Sequence, residues 1–135
     1  MEKNFLGIDY GEKRIGLAFG NSGDRIAHTL KIIHKMNELD DIVPAKQIHA
    51  FVIGLPLQPD GTEGKTAEMA RMFATRLKEK FNLPIYWVDE TKSSVQAEKY
   101  LKDTLFMRPN KRKDILDAES ARVILQRWFD APSNC

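Results

Sequence analysis

Three acidic residues fall where carboxylates are costly. Asp9 closes an apolar run, Phe5-Leu-Gly-Ile-Asp-Tyr10, and Glu90, with Asp89 beside it, follows a second, Pro84-Ile-Tyr-Trp-Val88. Asp117 opens a helical pattern, because Ala121, Ile124, Leu125 and Trp128 follow it at helical spacing and draw one apolar face. Asp117 is thus in line with the core-facing stripe. An ionised carboxylate among buried residues is expensive unless something positive or hydrogen-bonding meets it. If two strand ends and the top of a helix converge, their like charges repel, and a divalent cation is the natural relief. Hard oxygen ligands suit Mg²⁺ or Mn²⁺ rather than zinc. Such ions activate a water and stabilise a leaving oxygen in phosphodiester cleavage. Asp9, Asp117 and either Glu90 or Asp89 are therefore candidate metal-binding and catalytic residues, and a divalent cation, not a protein group, is expected to meet Asp9.

Plainer roles compete. Asp9 can cap a turn. From periodicity alone Asp89 is as good a candidate as Glu90. Asp114 and Asp117 have the places of N-cap and N3 residues favoured by a helix dipole.

The elements that must position these acids read as follows. Phe5–Tyr10 and Arg14–Phe19 form a hairpin, with Gly11 supplying backbone freedom at the turn, and a third strand runs over Ile26–Ile33. Residues 36–50 predict a helix that Pro44 opens or breaks. Phe51-Val-Ile-Gly54 reads as a short strand covered on both faces. A Pro- and Gly-rich loop, Leu55–Gly64, leads into a helix over Lys65–Phe81, where Met69, Phe73, Leu77 and Phe81 recur at i+4. Pro84–Val88 is a buried strand. A helix from Ser93 to Leu101, a basic loop and a last helix from Ile115 to Trp128 complete the chain. The order predicts an α/β fold with a mixed five-stranded sheet, antiparallel early and parallel late, and helices on both faces.

With 135 residues, the chain has the size of one domain spanning 1–135. A net charge of +2 declares no nucleic-acid partner, so any basic surface must be local. Cys135 is the one cysteine, which excludes an internal disulfide framework and fits a reducing cytoplasm. No stretch resembles a signal peptide or a membrane span.

Gly64-Lys-Thr66 after a strand invites a P-loop reading, but Pro59 stands where that motif needs a glycine and lacks the N–H of a phosphate cradle. The strand–turn–strand around Asp9 also resembles the phosphate-binding hairpin of the actin and hexokinase superfamily, whose members pair two such domains; this chain has room for one.

Four segments in order resemble the YqgF/RuvX family, described as pre-16S rRNA nucleases and as Holliday-junction resolvase-like proteins. They are Gly7-Ile-Asp-Tyr-Gly-Glu-Lys-Arg-Ile-Gly-Leu-Ala18, Ile53-Gly-Leu-Pro-Leu-Gln-Pro-Asp-Gly-Thr-Glu-Gly64, Val88-Asp-Glu-Thr-Lys-Ser-Ser-Val-Gln-Ala-Glu98 and Ile115-Leu-Asp-Ala-Glu-Ser-Ala-Arg-Val-Ile-Leu-Gln126. The second is the most specific, and the resemblance covers nearly the whole chain. It implies an RNase H-like fold, carries an acidic triad onto Asp9, Glu90 and Asp117, and prefers Glu90 to Asp89. It departs at Thr91, where the family usually has arginine; the ammonium of Lys92, next along, lacks a bidentate fork.

Arg108-Pro-Asn-Lys-Arg-Lys113 sets four cations in six residues just before Asp117. Arg108, Lys111, Arg112 and Lys113 are placed to hold a phosphate backbone against the metal site. Lys13 and Arg14 in the first turn, Lys65 and Lys92 are further candidates, with Arg14 equally suited to an ion pair that stiffens the hairpin. Thr62 is a weaker one. His28, His34 and His49 show no metal-ligand spacing, and Trp87 and Trp128 sit in core patterns. The expected activity is a metal-dependent endonuclease of 5′-end maturation of pre-16S rRNA, in the cytoplasm, as a monomer or homodimer associated with a ribosomal precursor. A Holliday-junction resolving DNA endonuclease and a non-catalytic nucleic-acid or ribosome-binding module are the alternatives.

Overall fold

The computed structural model describes residues 2–90 and 109–131, with the backbone alone over 109–117. Five strands, β1 (Asn4–Asp9), β2 (Ile15–Asn21), β3 (His28–Ile33), β4 (Ile48–Leu55) and β5 (Ile85–Asp89), join in the order β3-β2-β1-β4-β5. The first three form an antiparallel meander, with Asp9 opposite Gly16. β4 and β5 add in parallel, placing Ile8 beside Ile53 and Leu55 beside Asp89. The helices are α1 (Leu39–Ala45), α2 (Lys65–Phe81) and α3 (Pro109–Asp130).

Alternation along each strand divides two cores. Leu6, Ile8, Leu17, Phe51 and Ile53 face α1 and α2, meeting Leu39, Val43, Phe73, Ala74 and Leu77. Phe5, Ala18, Ala50 and Val52 face α3, meeting Ala121, Ile124, Leu125, Trp128 and Phe129. Each fully buried large side chain such as Leu77 contributes about 1.5–3 kcal/mol. The α3 face is tighter. A Cβ on Gly7 would lie 2.8 Å from the Leu125 Cβ and 3.0 Å from the Ala121 carbonyl oxygen, so the helix backbone rests directly on the strand. Gln126 locks the same helix to the β2–β3 connection: its Oε1 accepts from the Ala27 N–H at 2.9 Å and its Nε2 donates to the Arg25 carbonyl at 3.0 Å.

The mixed five-stranded sheet with helices on both faces is as expected, and α2 has the predicted bounds. Several local expectations need correction. A 3-10 turn (Met36–Glu38) and α1 replace one long helix over 36–50; Pro44 lies in the last turn of α1, and the chain then turns at Gln47 (φ 51°). β4 consequently starts at Ile48, with exposed His49 accepting the Asn4 N–H through Nδ1 at 3.0 Å. β3 begins at His28 rather than Ile26. Gly11 has no positive φ; it provides room, because a Cβ there would meet the Arg14 carbonyl oxygen at 2.6 Å. The last helix starts at Pro109, so Lys111, Arg112 and Lys113 belong to its first turns and not to a loop. Pro suits a first helical position, and Lys and Arg are good helix formers. The helix expected over Ser93–Leu101 lies outside the described residues.

Candidate active site

The β1–β2 turn, the β4–α2 loop and the exit of β5 all leave the sheet at the carboxyl ends of the parallel strands, where α/β folds place ligands. Asp9 ends β1 one position past the Ile8–Ile53 pair, and Gly54 follows Ile53 on β4. Glu90 follows β5 directly, its N–H donating to the Leu55 carbonyl at 3.0 Å. Tyr86 and Val88 pack toward α3, so strand alternation sends Glu90 to that face and Asp89 to the other. A Cβ on Gly54 would lie 3.2 Å from the Glu90 carboxyl carbon and 2.4 Å from the Ile124 Cδ1. The absent side chain on the middle strand leaves space that the Ile124 Cδ1 and the Glu90 carboxyl occupy, between the flanking strands that carry the two carboxyl groups.

They do meet. The Asp9 and Glu90 carboxyls share a hydrogen bond, and the Asp9 pKa stands well above the usual carboxylate range. Burial is the largest cause, followed by the hydrogen bond and by repulsion from Glu90. The protein group facing Asp9 is thus another acid, which leaves a proton or a cation to bridge them. An all-oxygen donor pair that crowds its own charge fits a hard divalent cation.

Asp117 is placed by its helix. From Phe129, packed against Phe5 and Gly20, α3 runs back to Ala121 against Gly7, and Asp117 comes one turn earlier, toward the Asp9 end of β1. Its side chain lies outside the described residues. Among the described residues, no three acidic, histidine or cysteine side chains gather as a metal cluster.

The basic candidates separate. Lys13 is exposed in the β1–β2 turn, and its carbonyl oxygen lies 3.0 Å from the His34 Nδ1. Arg14 is half-buried and already has an interaction partner. Lys65 is exposed at the start of α2 and lines an open groove with Glu63, Arg71 and Met72. Lys92 and Arg108 lie outside the described residues, as does Thr91. The Leu55–Gly64 loop is a built hairpin: Leu57 bridges Glu63, and Gly61 (φ 86°) donates to the Gln58 carbonyl at 2.8 Å. The Thr62 hydroxyl donates to Asp60 at 2.6 Å. Arg71 braces the hairpin through two hydrogen bonds to Glu63, lowering the Glu63 pKa, and lies over the Trp87 ring at 5.1 Å.

Sequence reasoning passed over Gly54 and Arg127. The Arg127 Nη1 donates to the Asp89 carbonyl at 2.8 Å, across 38 positions of sequence, and no periodic pattern marks such a bond.

A family described as "RuvX: Holliday junction resolvase" matches residues 3–131. The chain belongs to the RuvX family. Among the similar relatives of this RuvX chain, a protein of Burkholderia vietnamiensis named "Putative pre-16S rRNA nuclease" is 42% identical, over 98% of the chain and 93% of the relative. One of Burkholderia multivorans with the same name is 40% identical over the same shares. Among solved structures, Thermus thermophilus RuvC in complex with a Holliday junction substrate aligns with a TM-score of 0.56 at 12% identity, covering 94% of the RuvX chain and 93% of RuvC. The yeast mitochondrial Holliday junction resolvase Ydc2 aligns with a TM-score of 0.51 at 14% identity, covering 94% and 78%. At such identities the likeness is one of fold, and the fold is the RuvC-like, RNase H-like one.

Proposed function

We propose that this chain is a divalent-metal-dependent endonuclease, a single-domain phosphodiester hydrolase acting in the cytoplasm on pre-16S rRNA at its 5′ end. The observation that carries the reading is the contact of Asp9 with Glu90 beside Gly54, a half-buried like-charge pair at the ligand end of an RNase H-like sheet. The names of the Burkholderia relatives supply the substrate.

Asp9, Glu90 and Asp117 would hold Mg²⁺ or Mn²⁺, which when bound supplies an activated water and charge stabilisation for the leaving oxygen. The chain's own part is positioning. β1 and β5 present two carboxyls to one point, Gly54 keeps that point open, and α3 brings the third acid. Lys111, Arg112 and Lys113 lie in the first turns of α3, whose positive dipole end adds to their charge. Together they favour a phosphate backbone over sequence-specific base contacts. Lys13 from the β1–β2 turn and Lys65 from the start of α2 extend the basic surface, Lys92 and Arg108 belong to the same set, and Arg14 contributes from the turn. The protein works as a monomer or homodimer on a ribosomal precursor.

The test is cleavage of a precursor rRNA 5′ segment, its DNA equivalent and a four-way junction, with Mn²⁺ or Mg²⁺. Cleavage of RNA, reduced at least about 100-fold in Asp9→Asn and Asp117→Asn, is the expected result. Junction-only cleavage would make the chain a resolving enzyme. RNA binding without cleavage in all three proteins would make it a binding module.

A further inference from the structure

We propose that Arg127 is a positioning residue for Glu90, an inference that rests on the metal-site reading above. The peptide group joining Asp89 to Glu90 is held at both ends. Its N–H donates to Leu55 at 3.0 Å, and its carbonyl accepts from the Arg127 Nη1 at 2.8 Å. The N–H and C=O of one peptide unit point in opposite directions. With the N–H turned toward β4, the carbonyl points away from the sheet, and β5 is an edge of the described sheet. Arg127 supplies the donor that a further strand would otherwise give.

The clamp comes from the helix that borders the site. Three positions before Arg127, the Ile124 Cδ1 occupies the space beside the Glu90 carboxyl, and one position after it, Trp128 lies against Tyr86 with ring centroids 5.0 Å apart. One helix therefore carries Asp117, the wall beside Glu90, and the donor that fixes the peptide from which Glu90 springs. Arg127 ties the strand of one acid to the helix of another and sets the spacing between them.

The test uses the full chain with Arg127→Met, which keeps an aliphatic stem without a donor, and Arg127→Lys, which keeps one donor and the charge. In metal-free protein, amide exchange at Glu90 should quicken about tenfold in Arg127→Met while core amides hold their rates. Mn²⁺ affinity, measured by calorimetry, should fall about tenfold in Arg127→Met and less in Arg127→Lys. RNA affinity in Ca²⁺ and the melting temperature should stay near wild type. Unchanged Glu90 exchange overturns the proposal, and so does a loss of RNA affinity with Mn²⁺ affinity intact, which would make Arg127 a phosphate contact. A wild type that binds no Mn²⁺ sinks the metal reading alone, because the exchange measurement still decides the positioning role.

Discussion

Toward α1 and α2 the sheet presents Leu6, Ile8, Leu17, Phe51 and Ile53; toward α3 it presents Gly7, Ala18, Gly20, Ala50 and Gly54, with Phe5 and Val52 among them. Large aliphatic groups hold helices at side-chain distance, where neighbouring rotamers absorb small errors. Glycine and alanine let the α3 backbone settle on the strands, where an error moves the whole helix. The acids lie on the second face. Both faces bury large side chains, but the acids lie where the helix backbone comes closest to the strands.

The largest expected effect separates them by energy. Leu77→Ala should lower unfolding free energy by about 2–5 kcal/mol in denaturant titration while leaving Mn²⁺ affinity per folded molecule unchanged. Loss of metal affinity in that variant would break the division between faces. Gly7→Ala should cost about 1–3 kcal/mol, since the Ala121 backbone and Leu125 Cβ have little room to yield. That variant should also weaken Mn²⁺ binding, because α3 is displaced. Gly54→Ala sharpens the contrast further. Ile124 Cδ1 is a movable chain end, so the stability cost should stay under about 1.5 kcal/mol. Mn²⁺ affinity should nevertheless drop about tenfold as Glu90 shifts, and Ile124→Val should restore stability to that variant without restoring the metal.

Asp9 gives a smaller effect whose sign follows from its raised pKa. The metal-free folded protein binds a proton more tightly than the unfolded chain, so its stability falls as pH rises from the unfolded carboxyl pKa through the folded one. Asp9→Asn removes the penalty and should raise the metal-free melting temperature at neutral pH, with little change in acid. Saturating Mn²⁺ should stabilise the wild type and not the variant. Equal melting temperatures at neutral pH would show that Asp9 bears no charge burden. Smallest of all, Glu63→Gln should loosen the hairpin brace on exposed Arg71 without shifting the melting temperature measurably.

α2 was the most legible element in sequence, because it repeats its apolar residues at helical spacing, and β1 and β2 are bounded by turn residues. The same signals failed where local pattern and tertiary setting diverge. Exposed His49 hid the first half of β4, and a cluster of cations hid the first turns of α3. Asp89 and Glu90 were indistinguishable by alternation because β5 carries apolar residues on both faces; the resemblance alone preferred Glu90, and Tyr86 and Val88 against α3 supply the physical reason. Gly54 and Arg127 left no trace, since one acts by lacking a side chain and the other through a backbone carbonyl distant in sequence.

The glycine- and alanine-rich face has a consequence for synthesis. Every described strand leaves the ribosome before α3, so among the described elements the Leu- and Ile-rich face acquires its helices first. Until α3 arrives, Phe5 and Val52 lie among small side chains that expose little apolar area of their own. The acids are framed only once the final helix docks. A nuclease assembled in that order completes its acidic site last, on a sheet whose strands are already made.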